Sequence, residues 1–222
     1  FRPVTHVNVD MLFCGRKRFK KEDGVEKENI VVLTELTLQD LEIGGDIDKT
    51  DFMNRVDQLC SLGQNVLISN YTEYYRLVRH ITRMTKDRRI GLILGIYNLH
   101  NIFDEKYYEN LKGGILEAFG ILFGRDVKFY VYPSLKKNSN EIYTLDDFVI
   151  PESQRGMLQY LLDNKKLIPV SNVSEKNLHI ISDHILDMIK NGEEGWEEFV
   201  PHKVANEIKS EKRFHYKEPV RS

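Results

Sequence analysis

Three short apolar runs stand out along the chain: Asn65–Ser69 (NVLIS), Ile90–Gly95 (IGLILG) and Val127–Tyr132 (VKFYVY). Amphipathic stretches of crossover length separate them. Continuous apolar runs of this length, closed by small, polar or turn residues, predict buried parallel strands joined by helices. We expect the three to be neighbours in one sheet. His6–Phe13 (HVNVDMLF) alternates loosely and reads as another strand, and Ile30–Leu33 (IVVL) as a further one.

Between the runs the spacing turns helical. Helices are predicted over Thr34–Leu41, over a segment capped by Thr50 or Asp51, and over Thr72–Thr85. The last of these has Tyr75, Leu77, Val78, Ile81 and Met84 turned inward. Further helices are expected over Asn101–Lys112 and Ile115–Phe123, with Ser134–Asn140 as a polar loop. Beyond it, Pro151–Asn164, a segment from Ser174 or Asn177 through Lys190, and Gly195–Ile208 all read as helical. The pattern predicts an α/β fold: a mostly parallel sheet of about five strands with flanking helices and a helical C-terminal appendage. The division expected is residues 1–150 for the sheet domain and 151–222 for the appendage packed on it.

Bulk properties narrow the class. The 222 residues are 41% hydrophobic and 30% charged, as in an ordinary soluble globular protein. No apolar run approaches the ~18 residues of a membrane span. Only Cys14 and Cys60 occur, with no CxxC, so reduced thiols and a cytoplasmic setting are expected. Lys and Arg number 32 against 34 Asp and Glu. This near balance argues against generic nucleic-acid binding and leaves room for a local basic patch. The chain opens on Phe1 rather than Met, from which we expect an N-terminal part ahead of it.

Parallel sheets bind ligands at the carboxyl ends of their strands. Those ends carry Ser69, Asn70 and Tyr71 after one run, and Asn98 and His100 after another. Hydroxyls and amides at a strand-to-helix turn can hydrogen-bond a phosphate; plain helix capping is the competing reading, and Glu73 there would repel an anion. Arg76, Arg79, His80 and Arg83 recur at i, i+3, i+4 and i+7, one face of one helix, with Lys86, Arg88 and Arg89 following. Such a face suits an anionic ligand or acidic partner, or else forms solvated ion pairs with neighbouring carboxylates.

Other chemistry finds less support. The histidines are scattered and no metal site is expected. Asp104 and Glu105 are adjacent, so a helix would point them apart rather than pair them. Val9-Asp10-Met11-Leu12 is similar to the first motif of haloacid-dehalogenase-type phosphatases, but Leu12 stands where that motif needs a second aspartate. The glycines of GGILEAFGILFG (113–124) match no dinucleotide fingerprint or P-loop and predict close helix or subunit packing.

Taken together, HVNVD, GQNVLISNYTEYY, IFDEKYYENLKGGILEAFG and VKFYVYPSL resemble the C-terminal half of a bacterial protein family about twice this length. Its members often carry the automatic label of nicotinate- or nicotinamide-nucleotide adenylyltransferase, and others that of a TonB-dependent receptor. The receptor label conflicts with a chain lacking alternating ten-residue strands. The resemblance implies nucleotidyltransferase-type chemistry residing largely in an N-terminal half, since no GxFDPxHxGH-type segment occurs here. The leading expectation is a domain that binds a phosphorylated or nucleotide-like ligand at its strand ends and works with an N-terminal domain. A non-catalytic dimerisation or interdomain module, and a degenerate phosphatase-like hydrolase, are the alternatives.

Overall fold

A computed structural model describes residues 1–38, 42, 43, 46–86, 88–124 and 126–219, with residues 42, 43, 46 and 47 described for their backbone only. The chain is α/β and forms two compact units. One comprises Phe1–Asp10, Val31–Asn70 and Ser174–Ser222; the other comprises Met11–Ile30 and Tyr71–Val173. This division differs from the expected boundary at residue 150. Residues 151–173 belong with the central sheet, and the C-terminal helices belong with Val31–Asn70.

In the first unit, β1 (Leu33–Thr37) and β4 (Asn65–Ser69) pair in parallel, Leu33 opposite Asn65 and Thr37 opposite Ser69. β2 (Glu42–Ile43) and β3 (Asp46–Ile47) form a small antiparallel pair. The helix α2 (Lys49–Ser61) starts at Asp48, whose carboxylate accepts from the Thr50 and Asp51 N–H groups at 3.0 Å. The cap is thus two residues earlier than the first expected position. Leu36, Leu59 and Val4 pack with apolar residues of α7 (Ser182–Asn191) and α8 (His202–Glu211) around the fully buried Trp196. Asp51 and Arg55 form a buried ion pair in this unit, and the buried Arg213 reaches Glu207 at 3.3 Å and the exposed Glu211 at 2.8 Å.

The second unit holds a three-stranded parallel sheet in the order β5 (Ile90–Gly95), β6 (Val127–Tyr132), β9 (Leu167–Pro169). Its core joins Leu94, Phe129 and Val131 to α3 (Tyr74–Thr85), α4 (Ile96–Phe103), α5 (Gly114–Leu122) and α6 (Arg155–Asp163). A two-residue antiparallel pair, β7 (Ser134–Leu135) with β8 (Ile142–Tyr143), closes the expected loop. The helix α1 (His6–Phe19) spans the point where the chain passes from the first unit to the second. Its Gly15 and the sheet's Gly91 permit close approach. A Cβ on Gly15 would lie 2.4 Å from Ile93, and one on Gly91 would lie 2.6 Å from Tyr130.

Several expectations are corrected. Among the described residues no sheet has more than three strands: β4 pairs with β1, while β5 and β6 belong to a separate three-stranded sheet. Each unit buries its own apolar core, so one continuous sheet is not needed to cover these strands. His6–Phe13 is helical because the Asn8 carboxamide accepts from the N–H and hydroxyl of Thr5, which caps the helix. Val7, Met11 and Cys14 then share one face at i, i+4 and i+7. Asp10 consequently lies within a helix and accepts from the Ser174 N–H at 2.9 Å, which removes the strand-end setting a phosphatase motif requires.

Thr34–Thr37 is strand, since pairing with β4 and alternating burial override helix propensity; the rest of that expected helix, residues 39–41, lies outside the described residues. The expected Asn101–Lys112 helix is replaced by α4 and a short 3-10 turn. The Asp104 carboxylate accepts from the Lys106 N–H at 3.2 Å and ends α4 there. Within the glycine run, a Cβ on Gly113 would meet Glu117 at 2.9 Å, whereas one on Gly114 or Gly120 would meet nothing within 4 Å of this chain. No helix among the described residues is long and apolar enough to cross a membrane.

The Asp48 cap generates a test. The Asp51 N–H, then the Thr50 N–H, hold the Asp48 carboxyl below its ordinary 3.8. A depressed carboxyl contributes stability that is present above the unfolded value and lost as pH falls through the folded one. Asp48→Ala is expected to lower the unfolding free energy by about 1 kcal/mol at neutral pH. In urea titrations the gap to wild type should narrow below pH 3.8.

Candidate functional site

The basic face foreseen on one helix falls on α3, and the geometry around it is specific. α3 is amphipathic: Tyr75, Leu77 and Val78 are buried, while Arg76, His80 and Arg83 are exposed and Arg79 is half-buried. Met84, expected inward, is 71% exposed. The exposed face walls a cleft of about 380 Å³. Arg76, Arg79, His80 and Arg83 form one side, with Tyr71 and Tyr75 among them, and Asn110 and Leu111 complete the lining. All eight residues belong to the second unit. None of these lining residues is a carboxylate.

Tyr75 fixes the arginines. Its ring is buried in the core, edge-on to Tyr108 at 6.0 Å. Its hydroxyl reaches the cleft, where it accepts from Arg76 Nε at 3.1 Å and from Asn110 Nδ2 at 3.0 Å. The Arg76 and Arg79 guanidinium carbons lie 5.8 and 5.6 Å from the ring centroid, within cation–π range. Arg76 also meets Glu73 at 3.3 Å. The Tyr75 hydrogen bond first, and then the Glu73 charge, push its pKa further up. Arg79 and Arg83 form no ion pair with a carboxylate among the described residues. The expected alternative of a fully ion-paired face therefore holds for Arg76 and not for the other two.

Tyr71 lies at the amino-terminal end of this row. Its hydroxyl is 3.5 Å from His80 Nδ1, and the two rings are tilted 44° at 5.8 Å. The remaining expected ligand residues lie elsewhere. Ser69 is buried in the first unit and its hydroxyl donates to Glu35 Oε1 at 2.6 Å. A carboxylate so placed opposes an anion at that hydroxyl. Asn70 is exposed at the end of the same strand, and Asn98 is exposed on α4.

His100 stands in an aromatic group at the carboxyl end of β5. Its ring packs on Phe148 at 4.6 Å and its Nε2 is 3.1 Å from the Tyr143 hydroxyl. Tyr97 packs on Tyr143 and donates to the Leu135 carbonyl at 2.8 Å. Neither Asn98 nor His100 lines the arginine cleft. The structure brings Tyr71, Arg76, Arg79 and Arg83 together in one cleft, and Ser69, Asn70, Asn98 and His100 are not among its lining residues. Tyr75 as platform and Asn110 as opposite wall were not foreseen. Tyr75 reads only as a core position, because one residue there serves both purposes. Asn110 has no sequence signal, since the turn after α4 brings it to Tyr75 from 35 positions away.

Among the described residues, no three His, Cys, Asp or Glu side chains gather to hold a metal ion. No protein-family model and no curated protein matches the sequence.

The His100 environment supplies a second test. Burial first, and the nearby Lys137 charge second, lower its pKa below the ordinary 6.5. A lowered histidine stays neutral when folded, so stability falls as pH drops from 6.5 toward the folded value. Proton NMR titration should place the His100 midpoint below 6.5. Lys137→Gln should raise it only part of the way, since burial is the larger cause. A midpoint unmoved by the substitution would remove Lys137 from the account.

Proposed function

We propose that the chain is a binding domain for an anionic, phosphorylated ligand, held in the α3 cleft rather than at the strand ends. The supporting observation is the set of three guanidiniums in one cleft, two without an ion-pair partner among the described residues, in a lining free of carboxylates. Arginine presents a planar fork of donors matched to phosphate oxygens and stays charged at every working pH. Holding Arg76 and Arg79 on the Tyr75 ring reduces the rotamer freedom lost when a ligand arrives, which favours binding.

Charge distribution supports the same reading. The second unit carries 21 Lys and Arg against 16 Asp and Glu, a net of +5; the first carries 11 against 18, a net of −7. The near-neutral total of −2 hides this partition. A phosphorylated ligand is therefore drawn to the unit that holds the arginines. The resemblance to a family labelled as nucleotide adenylyltransferases points the same way, toward a ligand of nucleotide metabolism. Binding is the activity the cleft supports. A proton-transfer step would need a base, and only His80 among the lining residues is of that kind.

The triple variant Arg76→Gln, Arg79→Gln, Arg83→Gln tests the reading. Calorimetric titration with AMP and with inorganic phosphate at low salt is expected to show at least about a ten-fold loss of affinity. The unfolding free energy should fall by no more than about 1–2 kcal/mol, because exposed charges contribute little to stability. Unaltered affinity in a folded triple variant would rule out the cleft as the site.

A further inference from the structure

We propose that the cleft takes a phosphate monoester attached to a planar ring: one phosphate on Arg79 and Arg83, and the ring against Tyr71 and His80. This rests on the reading of the cleft as a phosphate site and narrows its ligand class.

Charge balance sets the number of phosphates. Three arginines line the cleft, but Glu73 lies 3.3 Å from Arg76 and neutralises one. Among the described residues, two positive charges are left uncompensated by ion pairing, on Arg79 and Arg83. They stand at i and i+4, about 6 Å apart along the axis, so both long side chains can reach one tetrahedral group. A phosphate monoester carries about −1.5 to −2 at pH 7. It matches two guanidiniums, whereas a diphosphate would bring more charge than this pair balances. Arg76, tied to both Tyr75 and Glu73, borders the phosphate position without being released to it.

The size and lining set the rest of the ligand. A cleft of about 380 Å³ is roughly ten times the ~30 Å³ share of one water molecule. A bare phosphate leaves most of it empty, so the ligand has an organic body. The surfaces offered to that body are chiefly rings. Tyr71 and His80 lie tilted together at 5.8 Å, with His80 one helical turn before Arg83 on the same lining. Leu111 is the single aliphatic side chain in the lining, and Asn110 adds an amide. Aromatic faces with a few polar groups favour a planar ring over an aliphatic chain.

The test uses the full 222-residue chain and calorimetric titration with four probes: inorganic phosphate, glycerol 3-phosphate, phenyl phosphate and AMP. Phenyl phosphate and AMP are expected to bind at least about ten-fold tighter than glycerol 3-phosphate. In Tyr71→Ala that preference should shrink to within about three-fold, and in Arg79→Gln all four probes should weaken by about ten-fold or more. ADP serves as a fifth probe and is expected to bind no more than about three-fold tighter than AMP.

Equal affinity for glycerol 3-phosphate and phenyl phosphate would overturn the ring while leaving the phosphate site standing. ADP binding about ten-fold tighter than AMP would overturn the single phosphate. Failure of every probe to bind, with the chain folded by circular dichroism, would overturn the phosphate reading itself. Circular dichroism of Tyr71→Ala checks that its loss is not one of folding. Should it unfold, Tyr71→Leu replaces it, keeping bulk without a ring, and the same collapse of preference is expected.

Discussion

Tyr75 joins the hydrophobic core of the second unit to its charged surface. Its ring is among the most buried in the chain, yet its hydroxyl emerges among the arginines and accepts from Arg76 and Asn110. A phenol can do this because one end is apolar and the other must hydrogen-bond. Two guanidiniums lean on the same ring. The cleft thereby inherits the rigidity of the core. Were position 75 a leucine, α3 would still bury an apolar face, but the arginines would lose both the π surface and the acceptor that hold them. Like charges three and four residues apart repel on a helix. The face therefore costs stability unless something fixes and compensates it, and Tyr75 with Glu73 does so for Arg76.

Charge segregation places that cleft in a wider field. The excess positive charge lies in one unit and the excess negative charge in the other, so an anion experiences something quite different from the net −2 of the sequence. Whole-chain charge misleads here because the units draw on interleaved stretches of sequence. The acidic residues cluster after Ser174 and before Asn70, and these return to the same body. A composition count over consecutive residues averages the two away.

Parts of this architecture are legible in the sequence and parts are not. The strands Ile90–Gly95 and Val127–Tyr132 are foreseen to the residue, because both keep a dense run of apolar residues, although β6 is largely buried and β5 mostly half-buried. The arginine face of α3 is equally visible, since periodicity alone assigns it. Partner choice between strands is not visible. Val66–Ile68 looks like the β5 and β6 runs, but it pairs in another sheet with a strand whose Thr-rich, half-polar pattern reads as a helix cap. β9 has three residues and ends in proline, too short a run to register. The helical start of the chain hides behind β-branched residues, and only the Thr5–Asn8 cap reveals it. For the site, residue types and face were legible. The opposite wall depends on a contact 35 residues away, and the Tyr75 platform is hidden behind its core role, so neither was.

On the proposed reading, Arg79 and Arg83 are held ready for an anion while Arg76 is already engaged with Tyr75 and Glu73. Arginine side-chain NMR tests it most directly, by following the Nε–Hε resonances during a titration with phenyl phosphate. Saturable shifts are expected at Arg79 and Arg83, sharing one dissociation constant, with a smaller response at Arg76. Shifts that never saturate, or a saturable response confined to Arg88 and Arg89, would contradict it.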